Sequence, residues 1–353
     1  MYLTGGIGQT AAIEGFSGAY DLPDETAYAE TCAAVGMVLW NWRMLQLTAK
    51  VKYADVMERV LYNGMLSGVS LDGTQFFYDN PLASHGQHRR RDWFDCACCP
   101  PNIARLLASL GGYVYSQTDS QPRSALAADV GVWVHLYAQS HATVDMGHWT
   151  LDIRQTTCYP WDGAIRLALQ LDAPRTLTLY LRIPGSCEHW RLKINGNRAT
   201  AQATAADGYL HVTRKWSPGD VVALNLAMPV RYVFAHPAVP QMVGRVALQR
   251  GPLVYCLEGV DHADAPLDRI ALDTRLPAHR VFQPTHVDGQ AMGLPLKDGL
   301  TILRGQGQLL SDDPSLYRDS PPRGQPIPLS AIPYCLWANR SPGAMRVWLL
   351  KNI

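Results

Sequence analysis

The chain has 353 residues, which is too many for one ordinary hydrophobic core, so two or three domains are expected. Its 31 Lys and Arg residues nearly balance its 30 Asp and Glu residues, which leaves a net charge of +1. This balance argues against a nucleic-acid-binding surface, and the sequence contains no zinc-finger, RNP-like or Walker signature.

Targeting signals are absent from the sequence as given. No apolar run is long enough to span a bilayer, and residues 1–20 lack the basic-then-apolar pattern of a signal peptide. Neither a membrane nor a nucleic acid is therefore expected as a partner. Eight cysteines are too sparse for a disulfide scaffold in a chain of this length. Free thiols suit a reducing compartment, which predicts a cytoplasmic protein.

The first third of the sequence has helical periodicity. The stretch "TCAAVGMVLWNWRMLQLTA" from Thr31 has few breakers and a broad apolar surface, which predicts a helix buried between neighbours. The stretch "KYADVMERVLYNG" predicts a second helix with Gly64 as its terminator. Pro100 and Pro101 suit the first turn of a third helix. Its apolar residues fall at i, i+3, i+4 and i+7: Ile103, Leu106, Leu107 and Leu110.

From about Gly131 the hydrophobic period changes to two. "TLTLYLRIP" alternates leucines with other residues, and "KINGNR" contains an Asn-Gly turn. "KWSPGDVVALNL" and "NRSPGAMRVWLL" have the same strand–turn–strand pattern, and "RVALQRGPLVYCLEG" holds two short apolar runs. These patterns predict a β-sandwich followed by a second one that begins near residue 235. The Pro-rich segment 311–333 is predicted to be a long loop.

A cluster of cysteines stands out in "WFDCACCPPN", where Cys96, Cys98 and Cys99 occupy three of four positions. A further cysteine, Cys32, follows two residues after Glu30. Thiols and one carboxylate are enough to hold a tetrahedral zinc ion, but the spacing is not that of a zinc finger. The pattern alone leaves a second interpretation open, in which Cys32 lies in a helix core and the triplet forms an unliganded buried turn.

The position of the cysteines relative to the third helix adds an argument about their ionisation. Cys98 and Cys99 precede Pro100, so they lie where unpaired backbone N–H groups favour negative charge. This position favours thiolates. A disulfide between Cys98 and Cys99 would be strained. Thiolate chemistry is therefore the preferred interpretation.

Several long stretches resemble a known enzyme family. They are "MYLTGGIGQTAAIEGFSGAYDLPDETAYAETCA", "ADVMERVLYNGMLSGVSLDGTQFFYDNPL" and "CACCPPNIARLLASLGGYVYS". They resemble the zinc-dependent β-L-arabinofuranosidases of glycoside hydrolase family 127. The resemblance continues through "RVALQRGPLVYCLEG" to "PYCLWANRSPGAMRVWL", so it covers essentially the whole chain.

The resemblance implies an α+β multidomain fold. The C-terminal helices of an (α/α)6 barrel catalytic domain would occupy residues 1–115, with two β-sandwich domains at 116–234 and 235–353. Three helices cannot close a helical domain, because their apolar faces need partners that residues 1–115 do not contain. The opening "MYLTGGIG" resembles the middle of a family member. The chain is therefore expected to be an N-terminally truncated fragment with little activity alone, and the missing N-terminal half is a possible partner chain.

The resemblance also implies a mechanism and its residues. Cys98 falls on the family's catalytic thiol, and Glu14 falls on its general acid/base. Most retaining glycosidases use two carboxylates, whereas here a zinc-bound thiolate would attack the sugar. The implied Zn²⁺ ligands are Glu30, Cys32, Cys98 and Cys99. The implied substrate is an oligosaccharide or glycoconjugate with terminal β-L-arabinofuranosyl groups.

Glu58 and Tyr78 fall on positions that contact the substrate in the family. Without the resemblance each assigned residue has a simpler interpretation. Glu14 would be a loop carboxylate, Glu58 a solvated mid-helix acid and Tyr78 a strand-core aromatic. Cys96 matches the motif but not a ligand position, so it is interpreted as structural. Two alternative functions stay open: the same mechanism on another sugar, and a non-catalytic, zinc-stabilised remnant that binds carbohydrate or a partner chain.

Overall fold

The computed structural model describes residues 1–118, 130–199, 204–263, 265–317, 319–320 and 322–352. Within these ranges no helix is long and apolar enough to cross a membrane. The same ranges contain four α-helices, of which the last has only four residues: α1 Thr31–Thr48, α2 Val51–Arg59, α3 Cys99–Ser109 and α4 Ala278–Val281.

Helix α1 lies where the sequence predicts it but is buried on one face only. Val38 and Leu45 are almost completely buried, whereas Trp40 is 65% exposed and Leu47 is 79% exposed. Within the described residues, α1 is therefore not buried between neighbours as its apolar surface predicts, since one face has no covering partner. A broadly apolar sequence indicates that a helix is stabilised by apolar neighbours, but it does not show whether the fold places such neighbours around it.

Gly64 does not terminate the second helix. After α2 the backbone continues as a π-helical turn over Val60–Met65 and a 3₁₀ turn over Leu66–Gly68. The Gly64 N–H donates to the Thr4 carbonyl oxygen at 3.0 Å, and a Cβ at this position would lie 3.1 Å from that oxygen. Glycine is therefore required here by a close backbone approach and not by a helix end.

The chain divides into two compact units. One comprises Leu39–Glu58 and Arg105–Met228 and contains two sheets. The five-stranded sheet, in the order β10-β11-β7-β3-β2, consists of β2 Tyr115–Gln117, β3 Gly131–Val134, β7 Arg175–Arg182, β10 Thr204–Ala206 and β11 Tyr209–Trp216. The six-stranded sheet, in the order β4-β5-β6-β12-β8-β9, consists of β4 Ser140–Asp145, β5 Thr150–Thr157, β6 Ala164–Gln170, β8 Trp190–Ile194, β9 Asn197–Arg198 and β12 Val221–Leu226.

Local sequence patterns explain these strands well. In β7 the alternating residues Leu177, Leu179 and Leu181 are buried, as the period of two predicts. Asn195 and Gly196 both have positive φ and join β8 to β9, which is the hairpin turn that an Asn-Gly pair favours.

The other unit comprises Met1–Val38, Arg59–Ala104 and Pro229–Ile353 and contains one ten-stranded sheet. The ten strands are β1 Ala83–Ser84, β13 Val230–Val233, β14 Arg245–Arg250, β15 Leu253–Glu258, β16 Ile270–Asp273, β17 Gln283–Val287, β18 Leu300–Leu310, β19 Gly324–Pro333, β20 Met345–Arg346 and β21 Leu349–Asn352. Six of them pair in the order β15-β19-β18-β16-β21-β14, and the pairing of β14 with β15 closes this ring into a six-stranded barrel. Closure leaves these six strands without free edges.

The expected fold class, a partial (α/α)6 barrel followed by two β-sandwiches, is wrong. Among the described residues, strands outnumber α-helices by far, and three helices longer than one turn do not make a helical barrel. Instead of a second sandwich, the C-terminal strands form the closed barrel described above. The predicted loop 311–333 is also too long, because β18 ends at Leu310 and β19 begins at Gly324. The domain boundaries after residues 115 and 234 stay a prediction.

A buried arginine organises the unit that holds the two smaller sheets. Arg182, at the end of β7, is fully buried and donates hydrogen bonds to Asp55 Oδ1 at 2.7 Å and to Glu58. It also donates to the backbone oxygen of His135. Glu58 is itself 3% exposed. This ion pair joins α2 to the five-stranded sheet.

His135 is buried beside this arginine and makes the unit sensitive to acid. Its ring nitrogens contact the Ser116 and Tyr209 hydroxyls at 2.7 and 2.8 Å, and burial lowers its pKa from 6.5 to about 3. Between these two pH values the unfolded state binds a proton that the folded state does not. The free energy of unfolding should therefore fall with decreasing pH in this window, by up to about 1.4 kcal/mol per pH unit from this group. Urea unfolding from pH 7 to pH 4 measures the slope, which should be shallower in His135→Gln; equal slopes would contradict the prediction.

Candidate functional site

Four of the sequence-predicted residues come together in one cluster. The ligand atoms of Glu30, Cys32, Cys98 and Cys99 all lie within 4.8 Å of one another. Cys99 Sγ lies 3.4 Å from Cys32 Sγ and 3.7 Å from Cys98 Sγ. Glu30 Oε1 lies 3.5 Å from Cys98 Sγ and 3.9 Å from Cys99 Sγ. Three sulfurs and one carboxylate at these distances are a donor set compatible with a metal ion.

A buried hydrogen-bond network positions the segment that carries Glu30 and Cys32. Thr31, between them, receives a hydrogen bond from Asn80 Nδ2 at 2.9 Å and donates to the Phe77 carbonyl at 2.9 Å. Asn80 Nδ2 also donates to the Ala29 carbonyl, and its Oδ1 accepts a hydrogen bond from Ser67. Because Thr31, Ser67 and Asn80 are almost completely buried, the start of α1 is fixed next to the Phe77–Asn80 segment.

Exposure distinguishes the three cysteines of the "CACC" motif. Cys99 is fully buried at the first position of α3, Cys98 is partly exposed, and Cys96 is exposed and lies outside the cluster. Tyr78 Oη lies 3.3 Å from Cys98 Sγ. Cys98 is thus the member of the adjacent pair that an external molecule reaches, and Tyr78 borders it.

Burial affects the protonation of the cluster. It raises the pKa of Cys32 to about 12, although the hydrogen bond from Asn102 opposes this shift. Burial also raises the pKa of Cys99, and the hydrogen bond with Cys32 adds to the effect. Without a cation, burial therefore opposes the ionisation of Cys99 that the start of the third helix would favour. Ionised sulfurs at this position need a nearby cation.

Glu14 lies on a tight turn in the same compact unit. It is exposed and has a φ of 46°, and the turn is closed by the pairing of Thr10 with Gly15. The buried Tyr28 side chain is influenced by both Glu14 of this turn and Glu30 of the cluster. Burial raises the pKa of its hydroxyl most, and the charges of Glu30 and Glu14 raise it further. Glu14 and Glu30 therefore act on one phenol.

Glu58 is not brought to the cluster. Its carboxylate pairs with Arg182 in the other compact unit, and its pKa is raised because burial outweighs the attraction of that arginine. The interpretation of Glu58 as a solvated mid-helix acid is wrong, since the side chain is buried. Its assignment as a substrate contact stays a prediction.

Family models match the chain in three consecutive segments. The β-L-arabinofuranosidase GH127 catalytic domain matches residues 1–112, and the GH127 middle domain matches residues 131–228. The glycoside hydrolase family 127 C-terminal domain matches residues 230–350. The chain belongs to glycoside hydrolase family 127.

Relatives within family 127 are longer than this chain. A non-reducing end β-L-arabinofuranosidase from Bifidobacterium longum subsp. longum is 37% identical over 99% of this chain and 53% of its own length. A solved GH127 β-L-arabinofuranosidase from Geobacillus stearothermophilus T6 is 40% identical with a TM-score of 0.88, and 54% of it is covered. A second solved GH127 β-arabinofuranosidase is 38% identical with a TM-score of 0.86, and 54% of it is covered. The whole of this chain matches both structures, and it spans about half the length of the relatives it matches.

Two residues beside the Glu30 and cysteine cluster were missed by sequence reasoning. Asn102 Nδ2 donates to Cys32 Sγ at 3.0 Å, and Asn80 holds the backbone before Glu30 and Cys32. Asn102 stands one turn into α3, so its side chain could have been placed beside the cysteines from helical spacing. Asn80 gives no such signal, because its partners are distant in sequence.

Proposed function

We propose that this chain carries the catalytic groups of a retaining glycosidase that removes terminal β-L-arabinofuranosyl residues. The observation that carries the proposal is the cluster of Glu30, Cys32, Cys98 and Cys99 within 4.8 Å, in a member of a family whose relatives are named β-L-arabinofuranosidases. The chain spans about half the length of those relatives, and both the activity and the substrate of the whole protein are part of this proposal.

The donor set fits zinc in both chemistry and spacing. Tetrahedral zinc at about 2.3 Å from sulfur and about 2.1 Å from oxygen requires S–S separations of about 3.8 Å and S–O separations of about 3.6 Å. Two of the three sulfur pairs lie at 3.4 and 3.7 Å, and two of the three sulfur–oxygen pairs lie at 3.5 and 3.9 Å. All of the ligand atoms lie within 4.8 Å of one another. When bound, zinc would supply the Lewis acidity that keeps the sulfurs ionised and stabilises a departing thiolate.

Cys98 is the proposed nucleophile, because it is partly exposed whereas Cys99 is buried. In the first step Cys98 Sγ forms a bond to the anomeric carbon while the bond to the leaving oxygen breaks. Glu14 donates a proton to that oxygen. In the second step Glu14 removes a proton from water, the water oxygen bonds to the anomeric carbon, and the carbon–sulfur bond breaks. Two displacements at one carbon retain its configuration.

Tyr78 is proposed to position the reacting groups. Its hydroxyl lies 3.3 Å from Cys98 Sγ, which places it beside the sugar that Cys98 would attack. The hydrogen bond with Cys98, and after it burial, keep this phenol neutral, because both raise its pKa. A neutral hydroxyl can donate a hydrogen bond to the sulfur or to a sugar oxygen.

The proposal is tested by trapping the covalent intermediate. An aryl β-L-arabinofuranoside with a good leaving group needs little acid assistance in the first step but still needs the base in the second. A Glu14→Ala variant incubated with it should therefore accumulate one pentosyl group on Cys98, detected by peptide mass spectrometry. A pentosyl group on another residue, or turnover of Glu14→Ala at the wild-type rate, would refute the assignment.

Asn102 should affect metal affinity without contributing a ligand atom. Its Nδ2 donates to Cys32 Sγ at 3.0 Å, and outer hydrogen bonds of this kind orient and stabilise a metal-bound sulfur. We expect Asn102→Ala to weaken zinc binding by about 10- to 100-fold, measured by competition with a chromogenic chelator. Asn41→Ala, a change of the same kind on α1, is the matched control; equal weakening in both variants would contradict a specific role for Asn102.

A further inference from the structure

A cationic cavity lies on the six-stranded sheet, and its lining includes none of the residues of the candidate catalytic site. Its volume is about 590 Å³, within the size range of ligand sites. Arg166 of β6 and both Arg191 and Lys193 of β8 line it, and all three side chains are exposed. The net charge of the chain is only +1, so this local concentration of positive charge is not visible in the composition.

The strand register creates the cavity. On β12, Ala223 pairs with Arg166 on one side and with Lys193 on the other. A small side chain between two long ones leaves a depression, with the two cations about 9.6 Å apart at their backbones. Arg191 lies two residues before Lys193 on β8, and therefore on the same face of the sheet. Three cations spread over this distance suit a ligand with several negative charges better than one small ion.

The positive charge is only partly offset from within the protein, because one acid lines the cavity beside three cations. No ion pair involves Arg166, Arg191 or Lys193 among the residues that the structure describes. Asp162 is the acid that lines the cavity, and its Oδ1 accepts the Ala164 N–H at 2.8 Å. Like charges gathered on neighbouring strands disfavour folding slightly, so a bound anion would relieve this repulsion.

The remaining lining residues indicate what kind of anion fits. Gln139, Thr156 and Asn225 contribute exposed amide and hydroxyl groups, which suit the hydroxyls of a sugar. No aromatic ring of the described residues lines the cavity, and binding of single-stranded nucleic acid depends on such rings. Charge and hydrogen bonds, and not stacking, would therefore select the ligand.

We propose that this cavity binds an oligosaccharide that carries carboxylates, such as a chain of uronic acids. Arg166, Arg191 and Lys193 pair with carboxylates, while the amides and hydroxyls hydrogen-bond to the sugar rings. The site would hold the protein on an acidic glycan. This inference is independent of the catalytic proposal, because it concerns different residues and requires no turnover.

The test is binding of the full 353-residue chain to oligogalacturonate, measured by calorimetry at low and raised salt. We expect binding that weakens with salt, is lost with the methyl-esterified oligomer, and exceeds binding of inorganic polyphosphate at equal charge. Replacing Arg166, Arg191 and Lys193 together by glutamine should weaken it by roughly tenfold or more. The matched control replaces three exposed cations elsewhere, Lys215, Lys297 and Arg304, by glutamine and should leave binding unchanged.

Three results would overturn the proposal. The first is equal weakening by the two triple variants, which would show attraction to net charge alone. The second is equal binding of the esterified oligomer, and the third is tighter binding of polyphosphate than of the uronate chain. Both triple variants change exposed side chains, and an unchanged melting temperature in each confirms that the comparison is made on folded protein.

Discussion

Replacing Cys98 by serine should abolish pentosyl transfer to the protein and lower turnover of an aryl β-L-arabinofuranoside by at least about 10³-fold. The reason is that a serine hydroxyl is not ionised at neutral pH and is a far weaker nucleophile than a thiolate. The side chain of Cys98 is partly exposed beside Tyr78, whereas its neighbour Cys99 is buried. Pentosyl transfer should therefore occur at position 98 and not at position 99. Steady-state rates and peptide mass spectrometry measure it.

Cys96→Ser is the matched control, because it makes the same chemical change two residues away. Cys96 is exposed and lies outside the cluster, so this variant should keep the wild-type rate and melting temperature. Cys98→Ser with an unchanged rate would refute the nucleophile assignment. Cys98→Ser that loses its fold would indicate instead that the cluster is a structural metal site.

Replacing Arg182 by methionine should destabilise the unit that contains it by about 3–5 kcal/mol, because Glu58 and Asp55 then lose their buried cation. Arg182 is fully buried and Glu58 is 3% exposed, so water cannot replace the lost hydrogen bonds without a rearrangement. This stability change corresponds to a melting-temperature decrease of roughly 10 °C for a unit of this size. Circular dichroism during thermal unfolding measures it.

Arg175→Met provides the control for this prediction. Arg175 pairs with Asp172 at 2.9 Å, but the two side chains are 39% and 56% exposed, so solvent screens the pair and its loss should change the melting temperature little. Adding Glu58→Gln to Arg182→Met should recover part of the lost stability, since it removes one uncompensated charge. If Arg182→Met lowered the melting temperature no more than Arg175→Met does, the prediction that the buried ion pair of Arg182 stabilises this unit would be wrong.

The elements that the sequence predicts well are those that local patterns determine. The alternating leucines of β7 and the Asn195-Gly196 turn are found where expected, because strand alternation and turn geometry act over a few residues. Helix α1 also begins at the expected Thr31. The exposure of Trp40 and Leu47 agrees with the argument that the apolar helix faces need partners that residues 1–115 do not contain. Which residues would be exposed was not predictable, because it depends on the contacts that the helix makes.

The fold-class prediction fails for a related reason. Apolar runs in "RVALQRGPLVYCLEG" predict the strands β14 and β15, but no local pattern shows that their pairing closes a ring with β16 and β21. Likewise, the buried pairing of Glu58 with Arg182 joins residues 124 positions apart. Long-range partners of this kind are set by the tertiary packing, which overrides the expectation of a solvated helix acid.

The candidate site was also predicted only in part: its residues were selected from the sequence, but their long-range hydrogen bonds were not. Residue types and the resemblance were enough to select Glu30, Cys32, Cys98 and Cys99, and the structure brings these four together. The surrounding hydrogen bonds were not predicted, because Asn80 contacts Thr31 across 49 positions. Neither was the difference in exposure between Cys98 and Cys99, which adjacent cysteines do not reveal in a sequence.

The most direct test of the account is metal analysis of the purified chain. After reconstitution with zinc and removal of free metal, we predict one zinc per chain, and a cobalt-substituted sample should show thiolate-to-cobalt charge-transfer absorption. Cys32→Ser should lower the zinc content, whereas Cys96→Ser should not, because only Cys32 of these two lies in the cluster. A reconstituted chain with no stoichiometric zinc, or an unchanged zinc content in Cys32→Ser, would contradict the proposed metal site and the chemistry that depends on it.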